Sequence, residues 1–173
     1  MNENIIIDGY NLLKQSPELC ELERIDIELA RNHLIKMLSA YKRVKSLKIA
    51  LIFDGWKSGG LSQNSYMERG IKVVFSKLGQ TADDVIKNMA RDSGKEMVIV
   101  TNDLDIKQFV EKTGSVVISS NDFLMKIEMA QYFEIKGIEE EVDYDTKITT
   151  KKKGNPKKRP KSERKKNRKL KKL

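Results

Sequence analysis

An α/β fold built on a largely parallel central sheet of about five strands follows from three features of the chain. Short β-branched apolar runs alternate with segments of helical period, and aspartates close several of the runs, at Asp8, Asp54 and Asp103. Runs that are continuously apolar rather than alternating suit strands buried on both faces, as in parallel sheets covered by helices. Strands that alternate with helices are the pattern of βαβ units.

The elements follow in order. Asn4-Ile5-Ile6-Ile7-Asp8 is the first strand. From Ile25 to Val44 the apolar positions Ile25, Leu29, Leu34, Met37, Leu38 and Tyr41 recur at roughly helical spacing. The run Lys48 to Asp54 is the second strand, and a polar loop from Trp56 to Gly70 leads to a third at Ile71 to Phe75. Thr81 is a natural N-cap for a helix reaching Lys95, whose apolar face is Ala82, Val85, Ile86, Met89 and Ala90. Met97 to Asp103 and Ser115 to Ile118 are the fourth and fifth strands, with helices at about Leu104 to Lys112 and Asp122 to Phe133.

Length and charge divide the chain into one folded unit, residues 1–146, and a basic tail, residues 147–173. Residues 151–173 hold 14 Lys or Arg against one Glu, whereas residues 1–150 hold 20 basic against 24 acidic groups. A tail of that composition cannot bury a core and is expected to be disordered when free. Its clusters Lys157-Lys158-Arg159 and Arg164-Lys165-Lys166 suit RNA or the ribosome surface, because flexible cations displace counterions from phosphates with little sequence preference. Membrane binding fits poorly, since almost no apolar residue interleaves these charges. Cys20 is the single cysteine, which excludes an intrachain disulfide framework, and no apolar stretch suits a signal or membrane segment. The expected compartment is the cytoplasm.

The aspartates carry the chemistry. In an open parallel sheet, strand C-termini and the following helix N-termini share one edge, so Asp8, Asp54, Asp103 and the helix-opening Asp83 and Asp84 are expected to converge there. Gathered carboxylates raise one another's pKa values unless a cation neutralises them. Hard oxygen ligands without His or Cys favour Mg²⁺ or Mn²⁺, which points to metal-assisted phosphodiester chemistry. At 100° per residue, Asp83 borders the apolar face of its helix while Asp84 lies nearly opposite, so Asp83 is the better ligand and Asp84, also a candidate ligand, the better capping-box acid. Asp105 is a candidate ligand through water. Asn11, Asp54, Thr101 and Asn102 are candidate supports for the site, each with an ordinary alternative: loop anchoring for Asn11, a turn for Asp54-Gly55, backbone bonding for Thr101, helix capping for Asn102. Asp8-Gly9 also reads as a turn, and Asp103 as an N-cap. In the loop from Trp56 to Gly70, Trp56 and Tyr66 are candidates to stack on unpaired bases and Lys57 and Arg69 to meet phosphates, the alternative being a plain mobile connection with Trp56 tucked against the domain; Lys77 and Gln80, in the linker before Thr81, are further candidates to face the substrate.

The ordered series Ile7-Asp8-Gly9-Tyr10-Asn11, Phe53-Asp54-Gly55, Thr81-Ala82-Asp83-Asp84-Val85-Ile86 and Val100-Thr101-Asn102-Asp103 resembles the NYN nuclease domain, a branch of the PIN-like fold. Length and spacing resemble its YacP-like group, over roughly residues 3–135. The resemblance implies a three-layer sandwich and a divalent-metal-dependent endoribonuclease, with Asp8, Asp83 and Asp103 as metal ligands and no organic cofactor. A group with a ribosome-associated member implies mRNA or rRNA at the ribosome as substrate.

Two other classes fit parts of the chain. A receiver-like phosphoacceptor would use Asp54 with Asp8 and Thr101, yet wants paired acids after the first strand and a lysine after the last, where Gly9-Tyr10 and Ser119-Ser120 stand. A noncatalytic RNA-binding or ribosome-assembly factor accounts for the tail and leaves the acids unused. Cys20 and His33 as nucleophile and base have no partner motif around them.

Overall fold

A computed structural model describes residues 4–55, 65–93 and 97–136. The elements are β1 (Asn4–Asp8), α1 (Gly9–Leu13), α2 (Pro17–Ile25), α3 (Ile27–Lys45), β2 (Lys48–Phe53), β3 (Ser65–Glu68), β4 (Ile71–Phe75), α4 (Ala82–Asp92), β5 (Val98–Val100), α5 (Leu104–Lys112), β6 (Val116–Ile118) and α6 (Ser120–Lys136). The six-stranded sheet has the order β3-β4-β2-β1-β5-β6, parallel throughout except for β3.

The five parallel strands are those expected from the apolar runs. The sixth, β3, lies inside the segment read as a polar loop. It pairs antiparallel with β4, Tyr66 opposite Val73 and Glu68 opposite Ile71. Its side chains are mostly exposed, so an edge strand held by backbone bonds left no apolar signature.

The helix expected over Ile25 to Val44 is α3, which begins at Ile27, and a separate helix, α2, precedes it and meets it at Asp26. The extended backbone of Asp26 ends α2 and its carboxylate accepts the Glu28 N–H at 2.8 Å to start α3. Ser16 and Pro17 start α2 as cap and first helical residue. At its far end α3 carries Lys42, Arg43 and Lys45 in the last turn, where cations offset the helix dipole, and stops at left-handed Ser46.

Because strand side chains alternate, β1 feeds both faces. Ile5 and Ile7 join Val98, Val100, Leu51 and Phe53 under α1, α2, α3 and α6, while Ile6 joins Ile52, Val74 and Ile99 under α4 and α5. Each of these side chains is nearly or wholly buried and contributes roughly 1.5 to 3 kcal/mol relative to exposure. The result is a helix–sheet–helix sandwich. Among the described residues, no helix is long and apolar enough to cross a membrane.

Candidate active site at the carboxyl edge of the sheet

The chain begins in the middle of the sheet, proceeds through β2 to β4 on one side, then returns to lay β5 and β6 on the other. The reversal falls between β1 and β5, and the crevice beyond their carboxyl ends is where open α/β sheets bind ligands. Asp8 ends β1 and Thr101-Asn102-Asp103 follow β5 at that point. A receiver domain would instead order its strands 2-1-3-4-5. The order here removes the phosphoacceptor alternative.

Asp8 is 9 % exposed and serves two loops at once. One carboxylate oxygen accepts the Asn11 N–H at 3.2 Å, capping α1, and the other accepts the Thr101 hydroxyl at 3.1 Å. Thr101 Oγ1 in turn accepts the Asp103 N–H at 3.1 Å, which ties the β5 exit to the β1 exit. Asp103 turns one oxygen to the Asp105 and Ile106 N–H groups at 2.8 and 3.0 Å, so it is the N-cap of α5, and Asp105 follows in the exposed first turn.

Gly9 is required by packing rather than by a left-handed turn. A Cβ there would meet the Phe53 ring at 2.3 Å, and Gly9 is not among the positive-φ glycines. The turn read into Asp8-Gly9 is thus a helix start pressed against β2. Gly55 behaves alike, since its Cβ would lie 1.8 Å from the Ser76 carbonyl.

Around this axis lies an amide and hydroxyl network. Asn11 Oδ1 accepts the Asn102 N–H at 2.9 Å and the Ser120 hydroxyl at 2.7 Å. Asn102 Oδ1 accepts the Ser120 N–H at 2.9 Å, and its Nδ2 donates to Asn121 Oδ1 at 2.9 Å. Ser120 and Asn121 were not singled out in the sequence. Their signal was present: small polar residues follow the β6 apolar run, at the same edge as Asp8 and Asp103.

Asp54 accepts the Ala82 N–H at 2.7 Å and so pins the N-terminus of α4 to the end of β2. Thr81 and Asp84 form a reciprocal capping box, with bonds of 3.1 and 3.2 Å. Asp84 therefore points along the helix end, and its bonds to Thr81 hold its carboxyl below the ordinary range. Asp83 behaves oppositely. Burial raises its pKa, Asp103 and then Asp54 and Asp84 add to the rise, and Lys87 opposes it. Burial pushes Asp8 up to about 6 against the lowering bonds from Asn11 and Thr101, with Asp83 and Asp54 adding further. Asp8 thus feels the charges of Asp83 and Asp54, and Asp83 feels those of Asp103, Asp54 and Asp84.

The donor set fits a hard divalent cation, which would relieve that mutual repulsion. Among the described residues no three His, Cys, Asp or Glu side chains form a group that could hold a metal ion as they stand. The upward shifts of Asp8 and Asp83 come first from burial in the crevice and second from neighbouring acids. Beside the carboxylates a shallow open depression of about 460 Å³ is lined by Asn11, Asn102, Asp103, Leu104 and Asp105.

The remaining expected contacts fare differently. Trp56 and Lys57 lie outside the described residues, as do Lys157, Lys158, Arg159, Arg164, Lys165 and Lys166. Tyr66 stands on β3, 45 % exposed and stacked on Phe75, which stacks on Phe53. Behind them the buried Arg31 guanidinium faces the rings of Phe75, Phe53 and Tyr10 at 5.1 to 5.5 Å and bonds the Tyr10 hydroxyl. Arg69 sits in the β3–β4 turn with φ 49°, its carbonyl accepting the Ser39 hydroxyl. Because β4 runs from that turn toward the carboxylates, Arg69 lies at the opposite edge, away from the expected phosphate path. Lys77 and Gln80 share a turn before Thr81. Among the described residues, Cys20 Sγ donates to the Leu13 and Lys14 carbonyls and His33 pairs with Glu18, so the two are engaged apart from one another.

Fold and site together define an α/β domain with a carboxylate-lined switch point at the carboxyl edge of its sheet. The chain belongs to the YacP-like NYN domain family, whose profile matches residues 5–173. It is similar to the protein YacP of Bacillus subtilis (strain 168), described as uncharacterised, with 26% identity over 127 residues that cover 72% of this chain and 74% of the relative. The crystal structure of Rae1 (YacP) from Bacillus subtilis shares the fold, with a TM-score of 0.65, 22% identity and coverage of 80% of each chain. A tryptophan-to-leucine variant of the same protein gives a TM-score of 0.66 at 21% identity, over 78% of this chain and 79% of that one.

Proposed function

We infer that this protein is a divalent-metal-dependent endoribonuclease that hydrolyses RNA phosphodiester bonds, with Asp8, Asp83 and Asp103 as the ligands of Mg²⁺ or Mn²⁺. The observation that carries the reading is the carboxylate convergence at the β1/β5 switch point, where burial and neighbouring acids push Asp8 up to about 6. When bound, such a cation polarises a phosphoryl oxygen and lowers the pKa of water, so no side-chain nucleophile is required.

The chain's own residues supply orientation. Asn11 N–H and the Thr101 hydroxyl hold the Asp8 carboxylate in one rotamer, and the α5 cap bonds hold Asp103, so both carboxylates are positioned before substrate arrives. Asp54 fixes α4 and with it the approach of Asp83. The open depression beside Asn11 and Asn102 offers an extended strand access to this edge. Trp56 and Tyr66 stack on unpaired bases in this reading, and Lys57 meets phosphate.

The basic residues 147–173 form a separate binding arm that adds affinity for RNA, on mRNA or rRNA at the ribosome, and takes no part in the chemistry. Its working compartment is taken to be the cytoplasm. Incubation of purified protein with single-stranded RNA, with EDTA and with Mn²⁺ restored, tests the reading. Cleavage that leaves 5′-phosphate and 3′-hydroxyl ends, stops with EDTA and returns with Mn²⁺ is the expected result. RNA binding without cleavage in either ion would assign a noncatalytic RNA-binding role instead.

A further inference from the structure

At the amino edge of the sheet, opposite the carboxylates, lies a largely apolar cavity of about 480 Å³. Three methionines, Met67, Met89 and Met97, line it, and Lys42, Lys48 and Lys72 rim it. Methionine side chains are flexible and polarizable and adapt to irregular apolar partners. Met67 is 66 % exposed, and none of the three lysines is paired with an acid among the described residues. An apolar floor inside a ring of unpaired cations fits a partner that alternates apolar and acidic residues.

The chain carries such a segment. Beyond α6 the sequence reads Ile138-Glu139-Glu140-Glu141-Val142-Asp143-Tyr144-Asp145, before the basic tail begins. Helix α6 starts at the carboxylate edge, where Ser120 bonds Asn11, and its 17 residues return across the sheet toward the amino edge. The chain therefore leaves α6 at the edge that holds the cavity. From Lys136, the stretch to Asp145 spans up to about 30 Å when extended. A tethered occupant also enjoys an effective concentration on the order of millimolar, which favours it over an untethered competitor of like chemistry.

We propose that the acidic segment Ile138–Asp145 docks into this lysine-rimmed, methionine-lined cavity of its own chain. Its acids meet Lys42, Lys48 and Lys72, and Val142 and Tyr144 fill the floor. The basic arm then departs from the edge opposite Asp8, which keeps its cations off the carboxylate cluster. This inference is independent of the nuclease reading.

Zero-length carbodiimide crosslinking of the full chain at low concentration, with peptide mapping, tests it. Joined peptides linking Lys42, Lys48 or Lys72 to the acids of 139–145 are expected, weakening in about 1 M salt, where the screening length falls to about 3 Å. The links should vanish in Lys42→Glu/Lys48→Glu/Lys72→Glu protein and return when Glu139→Lys/Glu140→Lys/Glu141→Lys is added. An acidic segment joined only to lysines of 151–172, joined only between isotopically distinct chains, or not joined at all would overturn the proposal, and wild-type protein alone is enough to reveal any of these outcomes.

Discussion

The two edges of one sheet differ in chemistry although the same strands end at both. At the carboxyl edge, Asp8 and Asp103 are joined through Thr101 beside an amide network of Asn11, Asn102 and Ser120, and Asp54 pins the start of α4, where Asp83 stands. At the amino edge, Lys42, Lys48 and Lys72 surround an apolar hollow. Parallel strands enforce this polarity: a chain that enters strands on lysine and leaves them on aspartate collects each charge on its own side. The carboxyl edge also holds its side chains through bonds between elements far apart in sequence, Asp8 to Thr101 and Asn11 to Ser120, whereas the amino edge is loosely furnished. One edge is organised for geometry and the other for contact.

The largest expected effect tests the carboxyl edge. Asp8→Asn and Asp83→Asn each lower RNA cleavage by more than about 100-fold, since even partners one shell removed from a metal cost about 10 to 100-fold. Single-turnover cleavage of a short RNA, with circular dichroism as a folding control, measures it; undiminished cleavage by folded Asp8→Asn protein would remove Asp8 from the site. Next, truncation after Thr150 weakens RNA binding at low salt. If ~6 tail charges neutralise single-stranded phosphates, the slope of log K against log salt is about −4, and it flattens on truncation while turnover at saturating short RNA is retained. An unchanged slope would reduce the tail to a solubility device.

Thr101→Val sharpens the comparison within the carboxyl edge. It removes the hydroxyl that joins Asp8 to the Asp103 N–H while keeping the shape, and cleavage is expected to fall by about 10 to 100-fold with RNA affinity unchanged. A smaller effect concerns stability. The Asp8 carboxyl titrates at about 6 when folded, against 3.8 for an ordinary aspartate, so the folded state holds the extra proton between those pH values. Stability of the metal-free protein therefore falls as pH rises through that window, by on the order of 1–3 kcal/mol from this group. Asp8→Asn removes the penalty, so in EDTA the variant should melt higher than wild type at pH 7.5 and the gap should close toward pH 4. An equal gap at both pH values would contradict the burial of a charged Asp8.

Much of this was legible in the sequence, for physical reasons that also explain what was hidden. Continuous apolar runs force buried parallel strands, so five strands and the positions of Asp8, Asp54 and Asp103 at their ends could be read directly. The capping role of Asp84 was readable from helical phase, because Thr81 precedes it by three residues. Strand β3 was invisible because an edge strand needs no apolar face, and with it went the placement of Arg69, which the hairpin carries to the far edge. Helix α2 was hidden because, over its nine residues, it buries Leu19 alone. The roles of Ser120 and Arg31 have no local sequence signature, since they lie in tertiary partners, Asn11 in one case and three aromatic rings in the other.

The central claim, that Asp83 turns into the cation site while its neighbour Asp84 caps α4, is tested most directly by titrating Mn²⁺ into wild-type, Asp83→Asn and Asp84→Asn protein by calorimetry without RNA. Strong weakening in Asp83→Asn with affinity close to wild type in Asp84→Asn is the predicted result. Equal weakening in both, or unchanged binding in Asp83→Asn, would contradict it.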